Sequence, residues 1–337
     1  MIVKNEQAVI SRCLDCVKSF ADEIIIVDTG STDDTKNIAK QYTSQVFDFL
    51  WCDDFSKARN YSFSLANCDY IMWLDADDII TKANQQKILN LKNQLQNAPI
   101  DCIMAKYVLS PNFYYYRERI VRREANFVWQ EPVHEVLTPS GNIHYSDIEI
   151  LHKKITQTLP KRNLKIYQKM LKNKVSLSPR ARYYYARELY FNGYYKKAIT
   201  QFNATIKSNI WVESKIDACV LKSQCYLNLN EREKAKKALT NSFDFDIRAK
   251  TACLLGQIWI DEKNYEVASH FFLSALTLPQ IQQGWCEPDY HDYIPYLYLS
   301  ICYYYLNNYP LAKKYHSLAK AIHPNYPEIA YNDKFFV

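Results

Sequence analysis

Glycine is scarce in this chain, 5 residues in 337, while tyrosine reaches 28. So little glycine argues against a loop-dominated or all-β architecture and favours helices. Long apolar runs are missing too: none approaches the roughly 20 uncharged residues a membrane helix needs. The first ten residues have neither the basic start nor the apolar stretch of a secretory signal. The expectation is a cytoplasmic protein with no membrane span. Charge of one sign is also lacking. Lysine and arginine exceed aspartate and glutamate by only 6, and the lysines spread along the second half as on solvated helix faces, so charge does not point to nucleic acid. The ten cysteines are scattered, with Cys219, Cys225, Cys253 and Cys302 inside apolar helical patterns that suit buried thiols in a reducing compartment. The pair Cys13 and Cys16 has no second pair and no nearby histidine. It fits the inner face of a helix with Val17 and Phe20 better than a zinc or redox site.

What is present divides into two halves. At this length, with 48% hydrophobic residues, two domains are expected. Over residues 1–157 short β-branched runs alternate with helical patterns. Residues 23–28, 45–49 and 69–74 read as buried strands. Residues 31–42 read as a helix capped by Ser31 or Thr32, and residues 55–66 as another. Met1 to Lys4 reads as the tail of a first strand that is short or lacks its beginning. Such alternation predicts an α/β, Rossmann-like domain with a mostly parallel sheet, whose ligands sit at the carboxyl ends of the strands. Asp28 and the acids Asp75, Asp77 and Asp78 fall at those ends.

Residues 158–337 read as helical almost throughout, with an internal repeat. Tyr195 precedes Ala198 and Phe202, Arg232 precedes Ala235 and Leu239, Tyr265 precedes Ala268 and Phe272, and Tyr309 precedes Ala312 and His316. The alanines stand 37, 33 and 44 residues apart. Small residues there let paired helices approach closely, as in tetratricopeptide repeats of about 34 residues. The long last spacing implies an inserted loop over residues 280–291. A helical bundle without repeats is the competing reading.

Asp75-Ala76-Asp77 supplies the most pointed chemistry. At a strand end, residues two apart face the same way, so both carboxylates can reach one pocket. Hard divalent cations bind through a few carboxylates and share phosphate oxygens with them. The strings at residues 1–6, 23–35, 53–62 and 73–78 together resemble family 2 glycosyltransferases of the GT-A fold, most of all the bacterial branch with tetratricopeptide repeats. The resemblance implies a GT-A catalytic domain over 1–157 and a tetratricopeptide-like helical domain over 158–337.

It also implies roles. Asp28 would bind the nucleotide base, where a helix-cap role competes. Arg59 would line the base pocket, where a surface ion pair with Asp54 competes. Asp75 would contact the ribose or lie near the metal, and Asp77 would ligate a manganese or magnesium ion bridging the phosphates of a UDP-sugar. In the segment 127–137, Glu135 is the first candidate for the general base and Glu131 the second, with His134 orienting Glu135 or binding phosphate. His152 stands where GT-A enzymes place a third metal ligand, although a core role competes. Among Arg117, Arg119, Arg122 and Arg123, one arginine could brace the diphosphate.

The implied activity is inverting, metal-dependent transfer of a hexose or N-acetylhexosamine to a serine, threonine or cysteine of a peptide or protein. It resembles the two-domain enzymes that glycosylate bacteriocin peptides. The helical domain would recruit the acceptor, or would make a homodimer. Two alternatives stay open: transfer to a surface polysaccharide or lipid-linked precursor, and a non-catalytic scaffold acting through its repeats.

Overall fold

The computed structural model describes residues 1–95, 99–155, 161–281 and 284–336. It divides into two compact units, Met1–Val175 and Ser176–Val337. The first unit therefore runs past the expected boundary at 157.

In the first unit, β1 (Ile2–Val3), α1 (Ile10–Val17), β2 (Ile26–Asp28), α2 (Thr35–Lys40) and β3 (Val46–Asp48) come first. The three strands form a parallel sheet in the order β1-β2-β3. Next are α3 (Phe55–Ser64), β4 (Tyr70–Met72), β5 (Asp78–Ile79), α4 (Lys82–Leu95), β6 (Cys102–Ser110), β7 (Phe113–Arg122), β8 (Ile143–His152) and α5 (Arg162–Lys172). Their strands build a second sheet in the order β4-β7-β6-β8-β5. This sheet is mixed: β6 and β8 run parallel, and the other neighbours are antiparallel. Parallel pairing thus holds for β1-β2-β3 and for β6 with β8, while β4, β7 and β5 pair antiparallel. A tight connection between β6 and β7 forces them into an antiparallel hairpin. A cavity of about 600 Å³ is lined by Met1 and by Ile26 of one sheet, and by Tyr70 and Met72 of the other.

The core of this unit collects Ile10, Cys13, Leu14 and Val17 from α1 with Ile26, Leu74, Ile103 and Ile148. Each such side chain contributes about 2 kcal/mol on burial. Cys13 is buried there and Cys16 packs against the same cluster, as the apolar helix pattern implied. Helix α2 begins at Thr35 with Asp34 as its N-cap, later than the expected start at Ser31 or Thr32. The amides ahead of it are already engaged. The Asp28 carboxylate accepts from Gly30 and Ser31, and the Asn5 side chain accepts from Thr32. Helix α5 belongs to this unit: Tyr167 donates to the Val133 carbonyl at 3.3 Å, and Lys169 pairs with Asp53 at 2.5 Å.

The second unit is all-α. Its helices pair as α6 (Pro179–Phe191) with α7 (Tyr195–Lys207), α8 (Val212–Asn228) with α9 (Arg232–Thr240), α10 (Ala249–Asp261) with α11 (Tyr265–Thr277), and α12 (Tyr293–Tyr305) with α13 (Tyr309–Ile322). A last helix, α14 (Pro327–Asn332), follows. Each pair turns through one residue in the left-handed region: Gly193, Asn230, Lys263 and Asn307. The repeat alanines Ala198, Ala235, Ala268 and Ala312 are all fully buried on the second helix of their pair, with Phe202, Leu239, Phe272 and His316 one turn later. Small residues at these positions let the helices of a pair approach closely, so the alanine spacing reads out the pairing. The expected inserted loop falls between α11 and α12; residues 282 and 283 within it lie outside the described ones.

Candidate active site

The chain leaves β4 through Trp73 and Leu74, both buried, and turns at once. The turn is closed twice: the Asp75 amide donates to Asp78 Oδ2 at 3.0 Å, and the Asp78 amide donates to the Asp75 carbonyl at 3.0 Å. Asp78 therefore faces inward, where Arg119 of β7 meets it at 3.0 Å with both side chains 0% exposed. Arg119 also donates to the Trp73 carbonyl at 3.3 Å and lies 3.8 Å from the Trp73 ring and 4.2 Å from the Tyr107 ring. Of the four clustered arginines, Arg119 is thus a structural brace. Arg117 pairs with Glu118, Arg122 with Asp101, and Arg123 donates to the Cys68 carbonyl.

Asp75 points to Arg59 of α3. The guanidinium donates through Nη2 to Asp75 Oδ1 at 2.8 Å and through Nε to Glu135 Oε1 at 2.7 Å. It is sandwiched 4.8 Å from the rings of both Trp73 and Trp129. A guanidinium fork suits two carboxylates in fixed directions, and aromatic faces hold its plane. The surface pair with Asp54 does not form: Asp54 caps α3 by accepting from the Lys57 amide at 3.1 Å. Burial works to raise the Asp75 carboxyl, but the Arg59 and Arg119 charges outweigh it and hold it at about 2.

The register of β5 on β8 sets Asp78 opposite His152. Ligand-capable atoms of Asp77, Asp78 and His152 all lie within 4.8 Å of one another. Asp77 Oδ1 is 3.4 Å from His152 Nδ1, and the Tyr107 hydroxyl is hydrogen-bonded to that nitrogen at 2.7 Å. The contact with Asp78 raises the imidazole's affinity for a proton, burial opposes it, and the Asp77 charge adds to it. Burial pushes the Asp77 carboxyl up; His152 counters, while the Asp75 and Asp78 charges add to the rise. Glu6, after β1, joins the same field: burial first, then the charges of Asp77 and Asp75, push its carboxyl up to about 7. Carboxylates that resist ionising together are a place where a divalent cation is stabilised, and two aspartates with an imidazole are a donor set such a cation accepts.

Asp28 ends β2, 1% exposed, with its Oδ1 accepting from the Gly30 and Ser31 amides at 2.7 Å each. It shapes the loop ahead of α2 rather than capping the helix. Gly30 has φ +101°, a conformation that favours glycine.

Glu135 is delivered by a loop pinned at several points. A Gln130–Val136 bridge closes it. The Phe55 amide donates to the Pro132 carbonyl at 2.8 Å, and Asn60 of α3 exchanges two hydrogen bonds with the Trp129 backbone, at 3.0 and 2.8 Å. Glu131 and His134 stand on the same loop, both at positive φ, 71° and 54°. Backbone strain of this kind concentrates at functional loops. Of the three residues proposed for this segment, Glu135 is the one shown joined to the Asp75 chain through Arg59.

Three roles were not read from the sequence: Asp78 as the inward anchor, Tyr107 as the partner of His152, and Glu6 in the field of Asp77. Glu6 sits in a string carrying the family resemblance, and Asp78 ends the acidic run, so both had a signal. Tyr107 had none, since its contact depends on the pairing of β6 with β8.

Residues 1–159 match the family model described as glycosyl transferase family 2. Among curated proteins, the SPbeta prophage-derived glycosyltransferase SunS of Bacillus subtilis is 26% identical over 242 residues, covering 66% of this chain and 57% of its own length. The chain thus spans little more than half the length of that relative. A TPR repeat-containing protein of Synechococcus elongatus is 31% identical over 140 residues, covering 42% of this chain and 35% of its own. The solved structure of MamA from Desulfovibrio magneticus aligns with a TM-score of 0.39 at 15% identity, over 50% of this chain and 88% of its own. That score carries no weight; the repeat assignment stands on the helix pairs themselves. No helix among the described residues is long and apolar enough to cross a membrane.

Proposed function

We propose that this protein, whose residues 1–159 match the model of glycosyl transferase family 2, moves a hexose or N-acetylhexosamine from a UDP-sugar to a peptide or protein side chain, with inversion and with a divalent cation. The observation that carries this reading is the chain Asp75–Arg59–Glu135 running beside the Asp77–Asp78–His152 cluster. Arg59 links the candidate base Glu135 to Asp75, two residues before Asp77 of the candidate cation site.

In this reading Asp77 and His152 hold manganese or magnesium, and the imidazole in the donor set favours manganese. The cation, when bound, neutralises the leaving diphosphate. Asp28 and Arg59 line the base pocket, and Asp75, kept ionised by Arg59, is available to the ribose. Glu135 takes the proton from the acceptor hydroxyl or thiol as the bond from the sugar's anomeric carbon to the diphosphate breaks and the bond to the acceptor forms. A thiol acceptor, with its lower pKa, would depend less on Glu135. The helical unit is read as the part that recruits the acceptor.

The test is release of free nucleoside diphosphate from a panel of nucleotide sugars with manganese or magnesium, with and without chelator. Hydrolysis of one donor, abolished by chelator and by Asp77→Ala, is the expected result. Unchanged turnover in Asp77→Ala would remove the metal role. No binding or hydrolysis of any donor would shift the account to a scaffold.

A further inference from the structure

The connection between α11 and α12 is longer than the repeat requires, and its described part does not stay at that end of the unit. Residues 284–290 run across the first helices of the three preceding pairs. Trp285 lies against α6 and the start of α8: its ring stacks on Tyr183 at 6.2 Å and meets Trp211 edge-on at 5.6 Å, with the Arg187 guanidinium 5.8 Å from it. Gly284 sits so near Glu213 of α8 that an added Cβ would come within 3.5 Å of it. Glu287 accepts two hydrogen bonds from Lys250 of α10, each 2.8 Å. The Cys253 thiol of α10 contacts the Tyr290 carbonyl at 3.7 Å.

The face under this segment is built to hold something. Arg187 donates to the Tyr183 hydroxyl at 3.0 Å, and Tyr183 donates to Asp217 at 2.7 Å. Burial and the Asp217 charge push the Tyr183 hydroxyl far up, so it stays a donor. A fixed chain of polar groups under an aromatic slot, with a lysine further along, recognises an aromatic side chain followed two residues later by a carboxylate. The segment offers that pattern in Trp285 and Glu287. Within the segment Gly284 and Cys286 are buried and Trp285 and Glu287 half-buried, while Trp211 on the face beneath stays 49% exposed. The last two pairs also touch without it, since α11 packs directly on α12.

We propose that the α6–α8–α10 face is a binding site for an extended peptide carrying an aromatic-x-acidic pattern, and that residues 284–290 occupy it as an internal stand-in which the partner displaces. Arg187 and Tyr183 read the aromatic residue, and Lys250 reads the acid. This inference concerns the helical unit alone and stands whatever acceptor the first unit uses.

The probe is a fluorescently labelled synthetic peptide with the sequence of residues 281–290, titrated by anisotropy into the full chain and into a variant in which residues 281–287 are replaced by Gly-Ser-Gly. The excised variant is expected to bind at least tenfold more tightly than the intact chain, with unchanged helical circular dichroism. A peptide with alanine in place of Trp285, or lysine in place of Glu287, is expected to lose at least tenfold. Lys250→Glu in the excised chain is expected to prefer the lysine-bearing peptide. In the intact chain, Trp285→Ala alone should open the site to the peptide. Equal binding by the intact and excised chains, indifference to the Trp and Glu positions, or loss of helicity on excision would overturn the proposal; the last would make the segment a structural brace. None of these readouts depends on sugar transfer, so failure here is distinguishable from failure of the donor assay.

Discussion

The two units differ in how much charge they bury: Glu213 is the one buried Asp, Glu, Lys or Arg among the described residues of the second. In the first, Asp28, Arg59, Asp78, Glu118 and Arg119 are all buried, and Arg59, Asp78 and Arg119 converge around Trp73. In the helical unit the positions that repeat are alanines, with an aromatic or aliphatic residue one turn on. Buried ion pairs cost several kcal/mol of desolvation per charge and are weak evidence for stability. A fold that carries several around one tryptophan therefore uses them to aim side chains. The alanine seams need only close packing. The contrast is sharpest between two arginines on the same ring: Arg119 spends its contacts on a sealed pair with Asp78, whereas Arg59 joins Asp75 to Glu135 at the site.

If that division is right, mutations should separate by unit and by readout. The largest expected effect is on turnover: Asp77→Ala should lower metal-dependent donor hydrolysis by about a thousandfold or more, while circular dichroism of the helical unit stays unchanged. Arg119→Ala should unfold the first unit more easily, by about 3–5 kcal/mol in urea denaturation, because Asp78 is left charged and sealed; a double variant with Asp78→Asn should recover part of that loss. Arg59→Lys keeps the charge but cannot reach both carboxylates in the same plane. It should reduce kcat for donor hydrolysis by about ten- to a hundredfold with a smaller cost in stability.

In the helical unit, Gly256→Ala would place a methyl 2.7 Å from the Phe272 ring. Overpacking should outweigh the gain in helix propensity and cost about 1 kcal/mol, leaving donor hydrolysis untouched. The smallest effect concerns pH. The Glu6 carboxyl titrates at about 7 in the folded chain against an ordinary 4.5. The folded state therefore holds more protons between those values, and stability should fall as pH rises through that window. In chelator, Glu6→Gln should flatten this slope, a change of about 1 kcal/mol once the part-exposed carboxyl is discounted. A flat wild-type profile would show that Glu6 does not share the field of Asp77.

The same contrast explains what could be read from the sequence. The helix pairs were legible because their determinants are local: Tyr265, Ala268 and Phe272 lie within two turns, and their spacing repeats. The strands before Asp28 and Asp75 were legible as short apolar runs ending in an acid; Arg59 and Asp77 stand in the family strings, the resemblance also pointed to Glu135 and His152, and the structure brings Arg59 to Glu135 and Asp77 to His152. What stayed hidden is non-local. The mixed second sheet, the register that sets His152 against Asp78, and the partnership of His152 with Tyr107 are fixed by pairings between distant segments. The late start of α2 escaped because Asp28 and Asn5, outside the helix, compete for its leading amides. The first unit's reach to Val175 escaped because α5 looks like any other amphipathic helix until Tyr167 meets Val133.

The central claim is that Asp77 and His152 hold a divalent cation for a nucleotide-sugar donor. Titration calorimetry of manganese into the chain, with and without UDP, tests it most directly. The account predicts one manganese site, tightened by UDP, lost in Asp77→Ala and weakened in His152→Ala, yet retained in Glu135→Gln. Manganese and UDP binding unchanged in Asp77→Ala would contradict it.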